Sequence, residues 1–303
     1  ADSQVPAYQT YHQNTTWQDK VLNGGINQNY YLKVTGGDDI ATYALSMGYL
    51  NSQGLTRNTG LTRYQTRFNA NLNLSSKLKS QVNLAFTRAE QNLRDQRLNS
   101  TTSPIYLALV KSPFLSSNEL SETGVQSPNF SDTDIFGVSN PAVAVEDIQG
   151  LNRNYRFTGS AGFNYTFNKV FSANTLVGVT YDKIRENYFA PEVGITPAVL
   201  ATDIGRNRVS ANVQRLFSVY NDTWVSYQQA INRSDRISAN LGFRYQTNKS
   251  ESDNGLSYNT ASDEFVTLGG AQSQLRVIGG SLGDWNWLDT YFNVNYEARN
   301  KYF

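Results

Sequence analysis

The feature that most limits the fold of this chain is a two-residue alternation sustained over long runs. Phe157, Gly159, Ala161, Phe163, Tyr165 and Phe167 alternate with Thr158, Ser160, Gly162, Asn164 and Thr166. Phe68, Ala70, Leu72 and Leu74 alternate with Arg67, Asn69, Asn71 and Asn73. The pattern recurs in Val82, Leu84 and Phe86 against Gln81, Asn83 and Thr87, and in Ile237, Ala239, Leu241, Phe243 and Tyr245 against Ser238, Asn240, Arg244 and Gln246. Successive side chains of a strand point to opposite faces, so each run specifies a strand with one apolar and one polar face. Helical spacing is nearly absent. Strands of soluble sheets usually have about 5–6 residues, whereas a tilted strand needs about 9–11 to cross a bilayer. Length favours the second kind; a soluble β-sandwich or solenoid with one wet face is the alternative.

The connections carry a second regularity. Tight polar turns are expected at 36–39, 75–77, 168–169, 232–235 and 298–301, and longer connections at 51–60, 91–152, 184–209 and 249–288. Short and long links alternate along the chain, which puts all the short ones at one end of the strands. Outer-membrane barrels have this asymmetry, with tight periplasmic turns and long extracellular loops. The expected fold is therefore all-β, a segment of an antiparallel up-and-down transmembrane β-barrel.

Composition narrows the chemistry. The 26 Lys+Arg residues against 25 Asp+Glu give a net charge of +1, so no global field recruits nucleic acid or an anionic surface. Charged residues make up 17% of the chain, against about 25% in soluble domains. Zero cysteines exclude disulfides, thiolate metal sites and cysteine nucleophiles, and one histidine leaves little material for a histidine metal cluster. Most hydrolytic mechanisms are disfavoured. No stretch approaches the roughly 20 apolar residues of a membrane helix. Residues 1–6 have no basic start and no apolar core, so no export signal is read there.

Several spaced motifs resemble the SusC-like (SusC/RagA) TonB-dependent transporters of the Bacteroidetes outer membrane. Thr16-Trp17-Gln18-Asp19 resembles the family's Thr-Asp-Trp-Gln-Asp segment that enters the barrel. Asn29-Tyr30-Tyr31-Leu32-Lys33-Val34-Thr35-Gly36-Gly37 is similar to its strand ending in a Ser-Gly-Gly turn. Tyr43, Ser46, Gly48, Tyr49, Gln53 and Gly54 match its next strand, and Arg63-Tyr64, Arg67 and Asn69 its Arg-Tyr-x-x-Arg-x-Asn strand. Asn140-Pro141 resembles the pair that closes its long loop. Residues 291–296 and 300–302 resemble its Tyr-Phe-Gly-Arg-Val-Asn-Tyr hairpin.

The resemblance implies a barrel of about 22 strands around a plug. It implies import of oligosaccharides or peptides, a SusD-like surface lipoprotein closing over the extracellular side, outer-membrane lipid around the wall, and energy from TonB through the plug. It implies no catalysis and no cofactor. Nothing in the chain resembles the TonB box, the plug's Tyr-Val-Ile-Asp-Gly signature or the C-terminal strands. The expectation is a part of such a barrel: a lead-in over 1–25, then a partial barrel over 26–303 with nine strands and the start of a tenth. An unclosed sheet exposes edge amides that lipid cannot satisfy, so such a part should not form a stable barrel alone. The alternative function is a soluble or surface-attached β-rich glycan-binding protein.

The candidate substrate contacts are Trp285, Trp287, Arg67, Arg244 and Gln246. The two tryptophans, flanked by Asp284 and Asp289, are expected at the long-loop end of a strand. Their indoles would either stack on a sugar or peptide or anchor the barrel at the lipid interface, and the interfacial girdle is preferred. Arg67, Asn69, Asn71, Asn83, Asn164, Arg244 and Gln246 would line a lumen, either as substrate contacts or as plain solvation of a water-filled interior. His12 reads as a surface histidine. Asp132-Thr133-Asp134 has alternating carboxylates but lacks the other ligands of a calcium loop, and reads as solvated loop. Gly279-Gly280-Ser281-Leu282-Gly283 lacks the strand-then-helix setting of a phosphate loop and reads as flexible loop.

Overall fold

The computed structural model describes residues 8–232 and 235–298. The expected turn at 298–301 lies almost wholly outside the described residues, as do residues 1–6. Nine long strands form a single antiparallel sheet in which each strand pairs with the next in sequence. They are β1 (Asn27–Gly37), β2 (Ala41–Gln53), β3 (Gly60–Asn73), β4 (Leu78–Asn92), β5 (Gln149–Thr166), β6 (Phe171–Ala190), β7 (Arg208–Ala230), β8 (Arg236–Tyr258) and β9 (Val277–Glu297). The expected meander of nine strands is therefore present.

Each short turn is fixed by one polar side chain that accepts backbone N–H groups two or three residues on. Asp38 accepts from Ile40 and Ala41 at 2.9 and 2.8 Å, and Asn168 from Val170 and Phe171 at 2.8 and 2.9 Å. Ser75 accepts from Lys77 and Leu78, and Asn232 from Asp235. Before Asp38, Gly37 has φ of 145°, and a Cβ there would lie 2.3 Å from the Ala41 carbonyl oxygen.

Register carries one set of side chains across the whole sheet. Leu241 pairs with Val225, Val225 with Ala173, Ala173 with Tyr165 and Tyr165 with Leu78, all on the apolar face. Gln246 pairs with Tyr220, Tyr220 with Gly178, Gly178 with Ser160, Ser160 with Asn83 and Asn83 with Asn69, all on the polar face. The expected division of Phe163, Tyr165, Leu241 and Phe243 from Asn164, Arg244 and Gln246 follows directly. No described element packs on the apolar face, where Leu241 is 63% and Phe292 69% exposed.

Another register row runs Tyr30, Tyr49, Tyr64, Arg88, Tyr155, Lys183, Arg215, Glu251. On β1 it stands seven residues from the turn end, Tyr30 to Gly37, and on β7 fifteen, Arg215 to Ala230. This stagger is the signature of tilted strands in a curving sheet. Tyr30 and Tyr49 stack with centroids 6.2 Å apart, and Tyr49 and Tyr64 lie at 5.0 Å.

Four expectations about the connections are corrected. The 249–288 loop shrinks to 259–276, because β8 runs on to Tyr258 and β9 starts at Val277, and the 184–209 loop to 191–207, because β6 runs on to Ala190 and β7 starts at Arg208. Residues 279–283 are strand: Gly279 pairs with Asn254, Gly280 with Asp253 and Gly283 with Ser250. The 51–60 link is only 54–59, since β2 runs to Gln53.

The buried apolar clusters lie at the long-connection end, in a cap that packs on the last residues of β6 and the first of β7. The 93–148 connection carries helices α3 (Pro104–Val110) and α4 (Pro141–Glu146), and these meet α2 (Trp17–Val21), which follows the single-turn α1 (Tyr8–Tyr11). Trp17, Val21, Ala108 and Val145 form one buried cluster, and Leu107, Val143, Ala144, Ile148, Ala190 and Ile195 another. Trp17 also donates its indole N–H to the Ser112 carbonyl at 2.8 Å. The Asn140-Pro141 pair starts α4. The Asn140 Oδ1 accepts from Ala142 N–H at 3.0 Å, while its Nδ2 donates to the carbonyls of Ser117 and Ser131 at 2.8 Å each.

Candidate functional site

The polar face is densest in side-chain chemistry on β7, β8 and β9, where four register rows stack. They are Ser218/Asn248/Trp285, Tyr220/Gln246/Trp287, Asp222/Arg244/Asp289 and Trp224/Gly242/Tyr291. At the centre is the buried carboxylate of Asp222. It accepts from Arg244 Nε at 3.0 Å, Tyr291 OH at 3.0 Å and Tyr220 OH at 3.2 Å. Tyr291 reaches it from two strands away because Gly242 stands between. A Cβ at Gly242 would lie 2.1 Å from the Tyr291 Cζ atom. The Tyr291 ring also lies 4.4 Å below the Arg244 guanidinium, a cation–π contact. Arg244 is thus held in place, its charge balanced by Asp222.

Gln246 donates through Nε2 to Ser218 Oγ at 3.1 Å and to Asn248 Oδ1 at 2.7 Å. Asn248 is buried, and its Nδ2 has no partner among the described residues. Trp287 lies 6.5 Å from Tyr220. Trp285 and Trp287 therefore stand on the polar face, in the interior of β9, and the expectation of a lipid-interface girdle is corrected. Pairing of 277–284 with β8 extends the strand past the tryptophans, and parity puts them beside Asn248 and Gln246. Their indoles are 48% and 39% exposed.

Arg67 lies apart, on β3. A groove of about 510 Å³ joins it along the polar face to the cluster, past Asn69, Asn83, Ser160 and Thr180 to Ser218 and Tyr220. The structure thus brings Arg244, Gln246, Trp285 and Trp287 together and connects Arg67 to them. Chemically the strip offers flat aromatic faces beside amide, hydroxyl, carboxylate and guanidinium groups, which suits stacking plus hydrogen bonding. Asp222, Tyr220, Tyr291 and Asn248 are the members that the sequence reading missed. Their parity was the available signal, but Asn221 and Thr223 interrupt the apolar alternation of β7.

The other candidates resolve differently. His12 is exposed, stacked on Tyr8 at 3.8 Å, with its Nδ1 2.7 Å from the Tyr8 carbonyl oxygen. Asp134 is not solvated. It forms a buried ion pair with Lys111 at 3.0 Å and accepts from the N–H groups of Phe136 and Val138, while Asp132 accepts from Gly194 N–H at 2.9 Å.

A long up-and-down antiparallel meander with one uncovered apolar face and one polar face defines the wall of a β-barrel. No protein-family model matches the sequence. The chain is 23% identical over 298 residues to TonB-dependent receptor P26 of Formosa agariphila, a match covering 95% of the chain and 28% of that receptor. It is 24% identical over 170 residues to TonB-dependent receptor SusC of Bacteroides thetaiotaomicron, covering 51% of the chain and 17% of SusC. Two structures of RagAB, a peptide transporter and importer, superpose with a TM-score of 0.72 at 15–16% identity, covering 94–95% of this chain and 32% of theirs. The chain is thus similar to part of a SusC-like TonB-dependent receptor, and it spans about a third or less of the length of the proteins it matches.

Proposed function

We propose that the chain forms wall of an outer-membrane, TonB-dependent nutrient transporter, with its apolar face in lipid and its polar face toward the lumen. The observation that carries this is the apolar face itself. It spans nine strands with no described element packed on it, and monomeric soluble proteins rarely leave contiguous apolar patches above a few hundred Å² uncovered. The similarity to TonB-dependent receptors supports the same reading.

Within it, residues 1–25 are a lead-in and 26–303 the barrel portion. Trp285, Trp287, Arg244, Gln246 and, through the groove, Arg67 contact an oligosaccharide or peptide on its way inward. A SusD-like lipoprotein covers the long-connection end, and TonB acts through a plug. The test compares two charge insertions in the full-length transporter. Arginine facing midplane lipid costs about 2–4 kcal/mol. Leu241→Arg should therefore abolish the folded, heat-modifiable band of the barrel in outer-membrane fractions, and Gln246→Arg should keep it. Equal tolerance of both substitutions would contradict the assignment of faces.

A further inference from the structure

The apolar face ends in a basic groove on β5 and β6. Below it the face is aromatic: Phe86, Phe157 and Tyr181 are neighbours in register. Above them Tyr155 pairs with Lys183, and Arg153 pairs with Arg185. These residues line one concavity of about 420 Å³. Arg88 lies over the Tyr155 ring at 5.7 Å, and Arg215 pairs in register with Lys183. Five cations thus gather on β4 to β7.

The carboxylates on this side stand at its edges. Glu90 on β4 pairs with Arg88 and Arg153 at 3.1 and 3.4 Å, Glu251 on β8 pairs with Arg215 at 2.6 Å, and Asp253 lies further along β8. No carboxylate faces this side from β5, β6 or β7, and Lys183 and Arg185 form no ion pair among the described residues.

Height decides what the groove can meet. Lys183 stands twelve residues from Phe171, the turn end of β6. A tilted strand crosses the hydrocarbon in about 9–11 residues, so the cations fall at the headgroup level of the long-connection side. Aromatic rings below and uncompensated cations above match a lipid's acyl chains and its anionic headgroup.

We propose that this groove binds the phosphate of a phosphorylated lipid in the outer leaflet, its acyl chains lying on Phe86, Phe157 and Tyr181. The inference rests on the membrane-wall reading. The test is native mass spectrometry of the full-length receptor in detergent, titrated with monophosphoryl lipid A and with the same lipid after dephosphorylation. The wild-type protein should bind the phosphorylated form at least tenfold more tightly. Lys183→Glu/Arg185→Glu should remove that preference, Lys183→Gln/Arg185→Gln should weaken it with the folded band intact, and Lys169→Glu in a short turn should leave it unchanged. Excess inorganic phosphate should not compete. An unaltered preference in both double variants would overturn the proposal, as would displacement by inorganic phosphate. A full-length protein that stays folded and soluble without detergent would overturn the membrane wall itself.

Discussion

Gly242 is the residue on which the polar cluster turns, because its missing side chain lets Tyr291 cross β8 to reach Asp222. Gly242→Ala forces the ring or the strand to move, an overpacking that costs about 1–3 kcal/mol. In the background of Tyr291→Ala the same change should cost almost nothing, since the clash has been removed. A double-mutant cycle on urea unfolding of the barrel measures this, and additive effects would show that the ring does not lie over Gly242. Asp222 illustrates what alternation alone conveys. A buried acceptor of three hydrogen bonds stands at a position whose parity is readable, but nothing in the local sequence announces Arg244 and Tyr291 as its partners. They arrive from β8 and β9 through register.

At the scale of elements, the cap is held by groups that can be removed one at a time. Lys111 and Asp134 are 1% and 4% exposed, and Lys111 also donates to the Val138 carbonyl at 2.7 Å. Burial pushes the Lys111 pKa below the usual lysine value, with Asp134 opposing it. Lys111→Met leaves a buried carboxylate without its counter-ion, which costs about 3–5 kcal/mol, whereas Lys111→Met/Asp134→Leu should recover most of the loss. Amide hydrogen exchange across α3 and α4 reads this directly.

Asp95 ties down the start of the same connection. Burial alone would raise its pKa, but hydrogen bonds from Arg97, Ser100 and Thr102 outweigh that and hold it well below the ordinary carboxylate range. Its contribution is therefore complete above the unfolded aspartate value of about 4 and falls away as pH drops toward the depressed folded value. Exchange protection of residues 95–102 should stay constant from neutral pH to about 4 and decline below it; Asp95→Asn should abolish that acid step.

The strands with clean alternation, β3, β4, β5 and the lower part of β8, were legible because each apolar residue has a polar neighbour on either side. The upper part of β8 and the start of β9 were not. There both faces stand above the apolar band and carry Gly, Ser and Asp, so loop and strand have the same composition, and only pairing tells them apart. The tryptophans were misplaced for that reason. The cap helices are four to seven residues long, too short for a helical period to register.

For the whole molecule, the consequence of these lengths is a wall taller than a membrane. At about 3.4 Å per residue the 23 residues of β7 extend roughly 75 Å, far more than a tilted crossing consumes, so the upper strands and the cap stand together on one side. The short turns fixed by Asp38, Ser75, Asn168 and Asn232 must then all lie on the other. Cysteine labelling of intact cells carrying the full-length transporter tests this most directly, as the chain has no native cysteine. Gln126→Cys in the cap and Asn254→Cys on upper β8 should react with an impermeant maleimide, and Ser76→Cys and Asn168→Cys should react only after the outer membrane is opened. Labelling of Ser76→Cys in sealed cells would reverse the orientation, and equal labelling of all four positions would show that the sheet is not a membrane wall.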